Sequence, residues 1–290
     1  MKYRTIDELR NNYSVSLLCN YLNVSRSGYY NWVSNGRKMY KQFDEILGKA
    51  IKDIFDQTKK GYRFITHQLR RWHGIVVNRK TVLRYMQILG IKSPIRKSRF
   101  ESCTQQEINE KARTVCSNHL ARKFEASRPL EKLVTDVSYV YHKSGRLYFS
   151  VIKDLYDNSI LAYSVSKWND NALVFNSLKQ IFNDEWDATK QCIFHSDQGF
   201  QYTNQSYIRF MDEYGITISH SRKANCYDNA PCENFFSHLK SESLELDIPN
   251  DEADLINRIE QYIIWYNTDR PQDNLKGMTP HAFRDSFLNN

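Results

Sequence analysis

From Leu133 to Trp168 the chain reads LVTDVSYVYHKSGRLYFSVIKDLYDNSILAYSVSKW, three runs rich in β-branched and aromatic residues. Turn signals at Lys143-Ser144-Gly145 and Asp157-Asn158 separate them, so the segment predicts an antiparallel meander of three strands. Helices and strands then alternate. NDNALVFNSLKQIFNDEW (169–186) has Val174, Leu178, Ile181 and Phe182 at helical spacing, and QCIFHSD follows as a strand. NQSYIRFMDEYG reads as a helix and ITISHS as a fifth strand. A further helix opens at NAPCENFF, with Pro231 in its first turn. This order predicts an α/β sandwich around a mixed five-stranded sheet.

Acidic residues fall at telling places on that framework. In the first strand Val134, Asp136, Ser138 and Val140 share one face. A carboxylate in mid-strand among valines is costly unless a cation or a donor meets it. Asp197 ends the fourth strand in IFHSDQGFQYTN, where Ser196-Asp197-Gln198-Gly199 also reads as plain turn chemistry. In that reading the aspartate bonds its own backbone and the glycine supplies a positive φ. Asp154 and Asp157 are rival acids, although the turn accounts for Asp157. Strands one and four can be neighbours, and a helix laid over that edge would bring Glu233 alongside. Three acids converging without basic partners repel one another unless divalent cations stand between them. All-oxygen ligation of this kind suits Mg²⁺ or Mn²⁺.

Charge divides the chain. Residues 1–100 hold 21 Lys and Arg against 6 Asp and Glu, and the remaining 190 hold 20 against 27. A basic front joined to an acidic back fits a polyanion-binding module attached to a carboxylate-bearing one. SVSLLCNYLNVSRSGYYNWVSN (14–35) reads as helix, turn, helix, with Val15, Leu18, Cys19 and Leu22 inward and Ser25 capping a second helix whose opening, Arg26-Ser27-Gly28-Tyr29-Tyr30, is polar and basic where a recognition helix meets DNA. The pattern recurs in 61–90. Phe64, Ile65, Leu69 and Trp72 face inward before Gly74; Asn78 caps a helix with Val82, Leu83, Met86 and Leu89 inward. Arg79 and Lys80 open that helix and Arg84 follows one turn on, so all three, with Arg26, are candidate DNA contacts. KSPIRKSR (92–99), with Arg96 and Lys97, reads as an extended basic arm along a nucleic-acid backbone. The division is therefore 1–45 and 46–100 as two helix–turn–helix modules, 101–128 as a partly helical connector, and 129–290 as the catalytic unit with C-terminal helices.

Cysteines 19, 103, 116, 192, 226 and 232 form no CxxC pair, and neither Cys116/His119 nor Cys192/His195 resembles a zinc knuckle. The chain has no apolar run of 18 residues and no apolar N-terminal signal, which leaves a cytoplasmic chain without a membrane partner as the expectation.

Sixty residues separate Asp136 from Asp197 and thirty-five separate Asp197 from Glu233. This D…D-x35-E spacing resembles the DDE transposases and retroviral integrases. HSDQGFQYTN, SHSRKANCYDNAPCENFFSHLKSE and YIIWYNTDRPQDNLKGMTP narrow the resemblance to second-reading-frame transposases of bacterial insertion sequences. The resemblance implies a ribonuclease-H-like catalytic domain and two Mg²⁺ or Mn²⁺ ions held by Asp136, Asp197 and Glu233. It implies cleavage at the element's 3′ ends, strand transfer into target DNA, and a copy-out, paste-in route. The implied partners are DNA bearing terminal inverted repeats, further copies of the chain (a dimer or more on DNA), and the first-frame product. Relatives carry a basic residue at Lys240, seven residues past Glu233, where it holds terminal DNA. Leu133 and Gln272 depart from the common Trp and His. A cut-only nuclease or resolvase, a glycosidase and a non-enzymatic repressor are the competing readings.

Overall fold

The computed structural model describes residues 2–36, 43–95, 114–189, 191–222 and 225–288. Arg96, Lys97 and Cys103 lie outside the described residues.

The first module contains α1 (Lys2–Leu9), α2 (Val15–Tyr21) and α3 (Arg26–Ser34). Ser14 and Ser25 cap α2 and α3 through their hydroxyls. The core is small: Ile6, Leu18, Cys19 and Tyr29. Tyr29 departs from expectation, because it is buried and its hydroxyl donates to Asp7 (2.9 Å). Arg26 and Tyr30 stay exposed.

The second module adds a helix the sequence reading had not drawn, α4 (Glu45–Thr58), to α5 (Tyr62–His73) and α6 (Arg79–Ile88). Its core takes Leu47, Ile51 and Ile54 from α4, Ile65 and Leu69 from α5, and Val82 and Met86 from α6. With α4 filling one side, Trp72 and Leu83 are left exposed instead of inward. Gly74 ends α5 at φ 66°, a left-handed position that a β-carbon would strain. Asn78 caps α6, its Oδ1 accepting from the Lys80 N–H (2.9 Å).

Residues 114–128, the part of the expected connector that lies among the described residues, contain no helix. They run along the sheet instead: the Cys116 N–H donates to His220 (2.8 Å) and the Leu120 N–H to Ser219 (3.1 Å). The sheet holds β1 (Lys132–His142), β2 (Gly145–Asp154), β3 (Ile160–Ser166), β4 (Ile193–Ser196) and β5 (Thr217–His220) in the order β3-β2-β1-β4-β5. The first three are antiparallel, while β4 runs parallel to β1 and β5 parallel to β4. This is the expected mixed, ribonuclease-H-like sheet.

On one face lie α7 (Asn171–Leu178) and α8 (Gln205–Glu213), closing a core of Leu133, Ile152, Phe182, Phe194 and Tyr207. The segment read as one long helix over 169–186 stops at Leu178, yet Phe182 still packs inward. On the other face α9 (Ala230–Leu239) and α10 (Glu252–Thr268) bury Val134, Phe149, Phe235, Ile259 and Tyr266, and α11 (Pro280–Leu288) follows. Asp154 and Asp157 are accounted for here, because Arg284 of α11 pairs with both and ties the β2–β3 turn to the tail. No helix among the described residues is long and apolar enough to cross a membrane.

The second module docks on the catalytic tail through buried charge. Lys60 Nζ lies 2.6 Å from Glu242, an ion pair whose angle misses hydrogen-bond geometry. Arg270 (2.9 Å), Tyr262 (2.8 Å) and His238 (3.1 Å) meet the same carboxylate.

Candidate active site

The parallel pairing of β1 and β4 covers Lys132–Val134 against Ile193–His195. Carried two residues further, that register sets Asp136 level with Asp197. β4 ends at Ser196 while β1 runs on to His142, so Asp136 stands in mid-strand and Asp197 just past the carboxyl end of β4, the end at which open α/β sheets bind ligands. The backbone thus explains why acids sixty residues apart in sequence become neighbours.

Each acid is held locally. Asp136 Oδ1 accepts from the Val137 N–H (2.8 Å), and Asp197 Oδ1 accepts from the Gly199 N–H (2.8 Å). Asp136 is half-buried; Asp197 is exposed as a residue at the rim, but its carboxyl is crowded by the surrounding protein. Burial first, then the Asp197 charge, pushes the Asp136 carboxyl well above its usual range; Glu233 adds to the push. The Val137 N–H and Lys240 oppose it. Asp197 is also raised, by burial, with the Gly199 N–H opposing.

Glu233 sits in the first turn of α9, exposed as a residue, with its carboxyl partly covered and its pKa raised by that cover. Asn229, just before α9, fixes that helix start to β1 by donating Nδ2–H to the Thr135 carbonyl (3.0 Å). Its Oδ1 is buried without a partner. Asp228 braces the same approach: Arg222 first, and also Arg122, hold its carboxyl well below the usual range. Sequence reading missed Asp228: Arg222 lies six residues away, a spacing that fits neither a helix nor a strand face, and Arg122 is 106 residues away.

Gly199 corrects one expectation. Its φ is not among the positive values, so the turn does not need glycine for left-handed backbone. It needs space, since a β-carbon there would lie 2.9 Å from both Asp197 Oδ1 and Gln201 Oε1. Gly199→Ala is expected to displace the Asp197 carboxylate and lower activity about tenfold or more, with Tm shifted by no more than about 4 °C. Melting curves and a DNA-cleavage assay run in parallel would check this.

Lys240 stands where α9 gives way to a π-helical turn, Lys240–Leu244, so the regular α-helix assumed from sequence ends one residue earlier. The side chain still reaches β1: Nζ donates to Ser138 Oγ (2.9 Å) and lies 5.0 Å from the Tyr139 ring centroid. Burial lowers its pKa, while Glu245 and Asp136 raise it. Glu242, a possible partner by spacing, turns away to Lys60 and Arg270.

Of the candidate DNA contacts, Arg26 and Lys80 are exposed. Arg84 is half-buried, its guanidinium 5.3 Å from the Tyr85 ring. Arg79 is already engaged, 2.7 Å from Asp273, which also meets His67 (2.7 Å).

Among the described residues no three His, Cys, Asp or Glu side chains stand close enough to hold an ion as placed. The donor chemistry nevertheless fits a hard divalent cation: two crowded carboxylates with no ion pair among the described residues, a third acid on α9, and the orphaned Asn229 oxygen.

Residues 126–226 and 214–280 match two family models described as integrase core domains, and residues 42–99 match an HTH-like domain. The chain is 36% identical over 284 residues to a putative transposase InsK for insertion sequence element IS150 of Escherichia coli K12, covering 97% of each. It is 34% identical to the IS600 uncharacterized 31 kDa protein of Shigella sonnei, over 93% of this chain and 98% of that one. Among solved structures, a simian T-cell lymphotropic virus intasome matches at 15% identity and TM-score 0.48, covering 81% of this chain and 74% of that one. The HTLV-2 integrase catalytic core domain matches at 19% identity and TM-score 0.43, over 55% and 98%. This chain belongs to the family of bacterial insertion-sequence transposases built on an integrase core.

Proposed function

We propose that this transposase cuts DNA at the 3′ ends of its element and joins the freed 3′-hydroxyls to target DNA, with Asp136, Asp197 and Glu233 as the metal-binding catalytic acids. The observation that supports the reading is the β1–β4 register, which sets mid-strand Asp136 level with Asp197 just past the end of β4, with burial and then the Asp197 charge raising the Asp136 pKa. Two Mg²⁺ or Mn²⁺ ions bound there would activate the attacking oxygen and stabilise charge on the leaving one. Asp136 and Asp197 are pre-positioned by their own backbone N–H bonds, and Glu233 is carried in from α9. Water is the nucleophile for the cut and the 3′-hydroxyl for the joining, and no protein side chain becomes covalently attached. Arg26, Lys80 and Arg84 contact the terminal inverted repeats. Arg96 and Lys97, in the basic stretch 92–99, track the DNA backbone. The chain acts in the cytoplasm as a dimer or larger assembly on DNA, together with the first-frame product.

Incubating the protein with DNA spanning one end of the element, with Mg²⁺ and then with EDTA, tests this. Metal-dependent nicks at the element boundary are expected. Binding without nicks would favour a repressor, and nicks without joining a nuclease.

Lys240 grips the DNA strand beside the acids. Lys240→Ala is expected to lower cutting and joining about tenfold to a hundredfold, as for loss of a charge-assisted contact. Lys240→Arg should restore part of it. Wild-type rates for Lys240→Ala across a salt range would remove the residue from the site. Lys80→Ala should weaken end binding across sequences and lower the slope of log affinity against log salt by about one. Lys80 is the cleaner test of α6, because Arg79→Ala would also loosen the Asp273 contact.

A further inference from the structure

Past Asp136, β1 has no strand on its β4 side, and the sheet face that α7 and α8 cover elsewhere is bare at the β1–β2 hairpin. Tyr139 and Tyr141 point out there, 48% and 57% exposed, with ring centroids 5.4 Å apart in an edge-to-face contact. Register sets Tyr148 opposite Tyr139 and Arg146 opposite Tyr141, so the four share one face. The Arg146 guanidinium lies 5.5 Å from the Tyr148 ring. Lys240 reaches round the free edge from the acid side to the Tyr139 ring, 5.0 Å from its centroid. From Val137 to Ile152 the chain contains no Asp or Glu, but it has Lys143 and Arg146 at the hairpin.

A bare face of tyrosines with Arg146 and Lys240 beside the rings matches unpaired nucleotides, whose bases stack on aromatic rings while their phosphates meet cations. Cross-strand packing alone does not require this exposure, since an aromatic pair that only stabilises a hairpin gains by being covered. The position adds a further argument. Tyr139 follows Asp136 by three residues on one strand, about 10 Å along it, so a strand whose phosphate lies at the acids has its next few nucleotides within reach of the rings. We propose that Tyr139, Tyr141, Tyr148 and Arg146 form a stacking platform for single-stranded DNA beside the catalytic acids. The proposal rests on the reading of the chain as acting on DNA ends and adds the subsite for unpaired bases.

The test uses the full chain and a twelve-nucleotide dT oligonucleotide carrying one 2-aminopurine, whose fluorescence is quenched on stacking. Tyr139→Ala and Tyr141→Ala should each weaken binding about tenfold and remove the quench, with duplex binding unchanged. Tyr139→Phe and Tyr141→Phe should bind as wild type, because the ring is kept. Arg146→Glu, at an exposed position, should weaken binding without disturbing the fold, which covers the case of alanine variants that melt early. Asp136→Asn should bind the oligonucleotide normally, so a failure of the cleavage reading leaves this result separately legible. Unchanged quenching in the Tyr→Ala and Arg146→Glu proteins would overturn the platform. So would a fall in oligomeric state, by sedimentation, on Tyr139→Ala/Tyr141→Ala, since the face would then be an interface between copies.

Discussion

Asp136→Asn and Asp197→Asn should each abolish metal-dependent cleavage, by about a thousandfold or more, and at the same time make the metal-free protein more stable. The two effects have one cause. Both carboxyls are raised by burial, and Asp136 is also raised by the Asp197 charge. The folded state therefore binds protons more tightly than the unfolded chain, and stability falls as pH rises from the ordinary carboxylate value of about 4 through the raised folded values. An amide removes that charge while its oxygen still accepts the Val137 or Gly199 N–H. Melting without metal should show a higher Tm for the variants near neutral pH, with the gap closing in acid. Added Mg²⁺ should raise the wild-type Tm and leave the variants unmoved. A variant that melts lower than wild type at every pH would show the acids to be structural.

The second large effect is on stability. Glu242→Ala should cost about 3–5 kcal/mol, because it leaves Lys60 and Arg270 buried without their carboxylate. Burial works against the ionised Glu242, but hydrogen bonds from His238 and Arg270 and the charges of Arg270 and Lys60 hold its pKa well below the usual range. Burial brings Lys60 down to about 8 against the pull of Glu242. With the Glu242 pKa depressed on folding, the stabilisation is full above the ordinary glutamate value of about 4.3 and is lost as pH falls toward the folded value. Denaturant titration should therefore show a wild-type-to-variant gap that is wide at neutral pH and narrower in acid. A gap below about 1 kcal/mol at neutral pH would mean that the docked second module owes little to this clamp.

The sheet and the meeting of Asp136 with Asp197 were legible because they rest on local signals. Strand periodicity, a two-residue turn before Gly145 and a strand ending at Asp197 set the register that aligns the acids. The helix caps at Ser25 and Asn78 were equally local. What escaped was decided by distant partners. Tyr29 sits in a helix opening that reads as a DNA-facing surface, yet α1 and Asp7 bury it. Leu83 and Trp72 lie on apolar stripes wider than the core that α4 leaves them. Arg79 reads as a free recognition residue until Asp273, 194 positions later, folds onto it. Gly199 was flagged for the wrong reason, because sequence shows a glycine but not whether φ or space demands it.

On this reading the paired acids join DNA as well as cut it. A labelled duplex ending in the element's terminal repeat, already trimmed to a free 3′-hydroxyl, would be incubated with target plasmid and Mg²⁺. The wild-type chain, supplied with the first-frame product, should attach the label covalently to the plasmid. Asp136→Asn, Asp197→Asn and Glu233→Gln should still bind the duplex but attach none. Joining by any of the three variants at the wild-type level would contradict the assignment of that acid, and joining by all three would contradict the account.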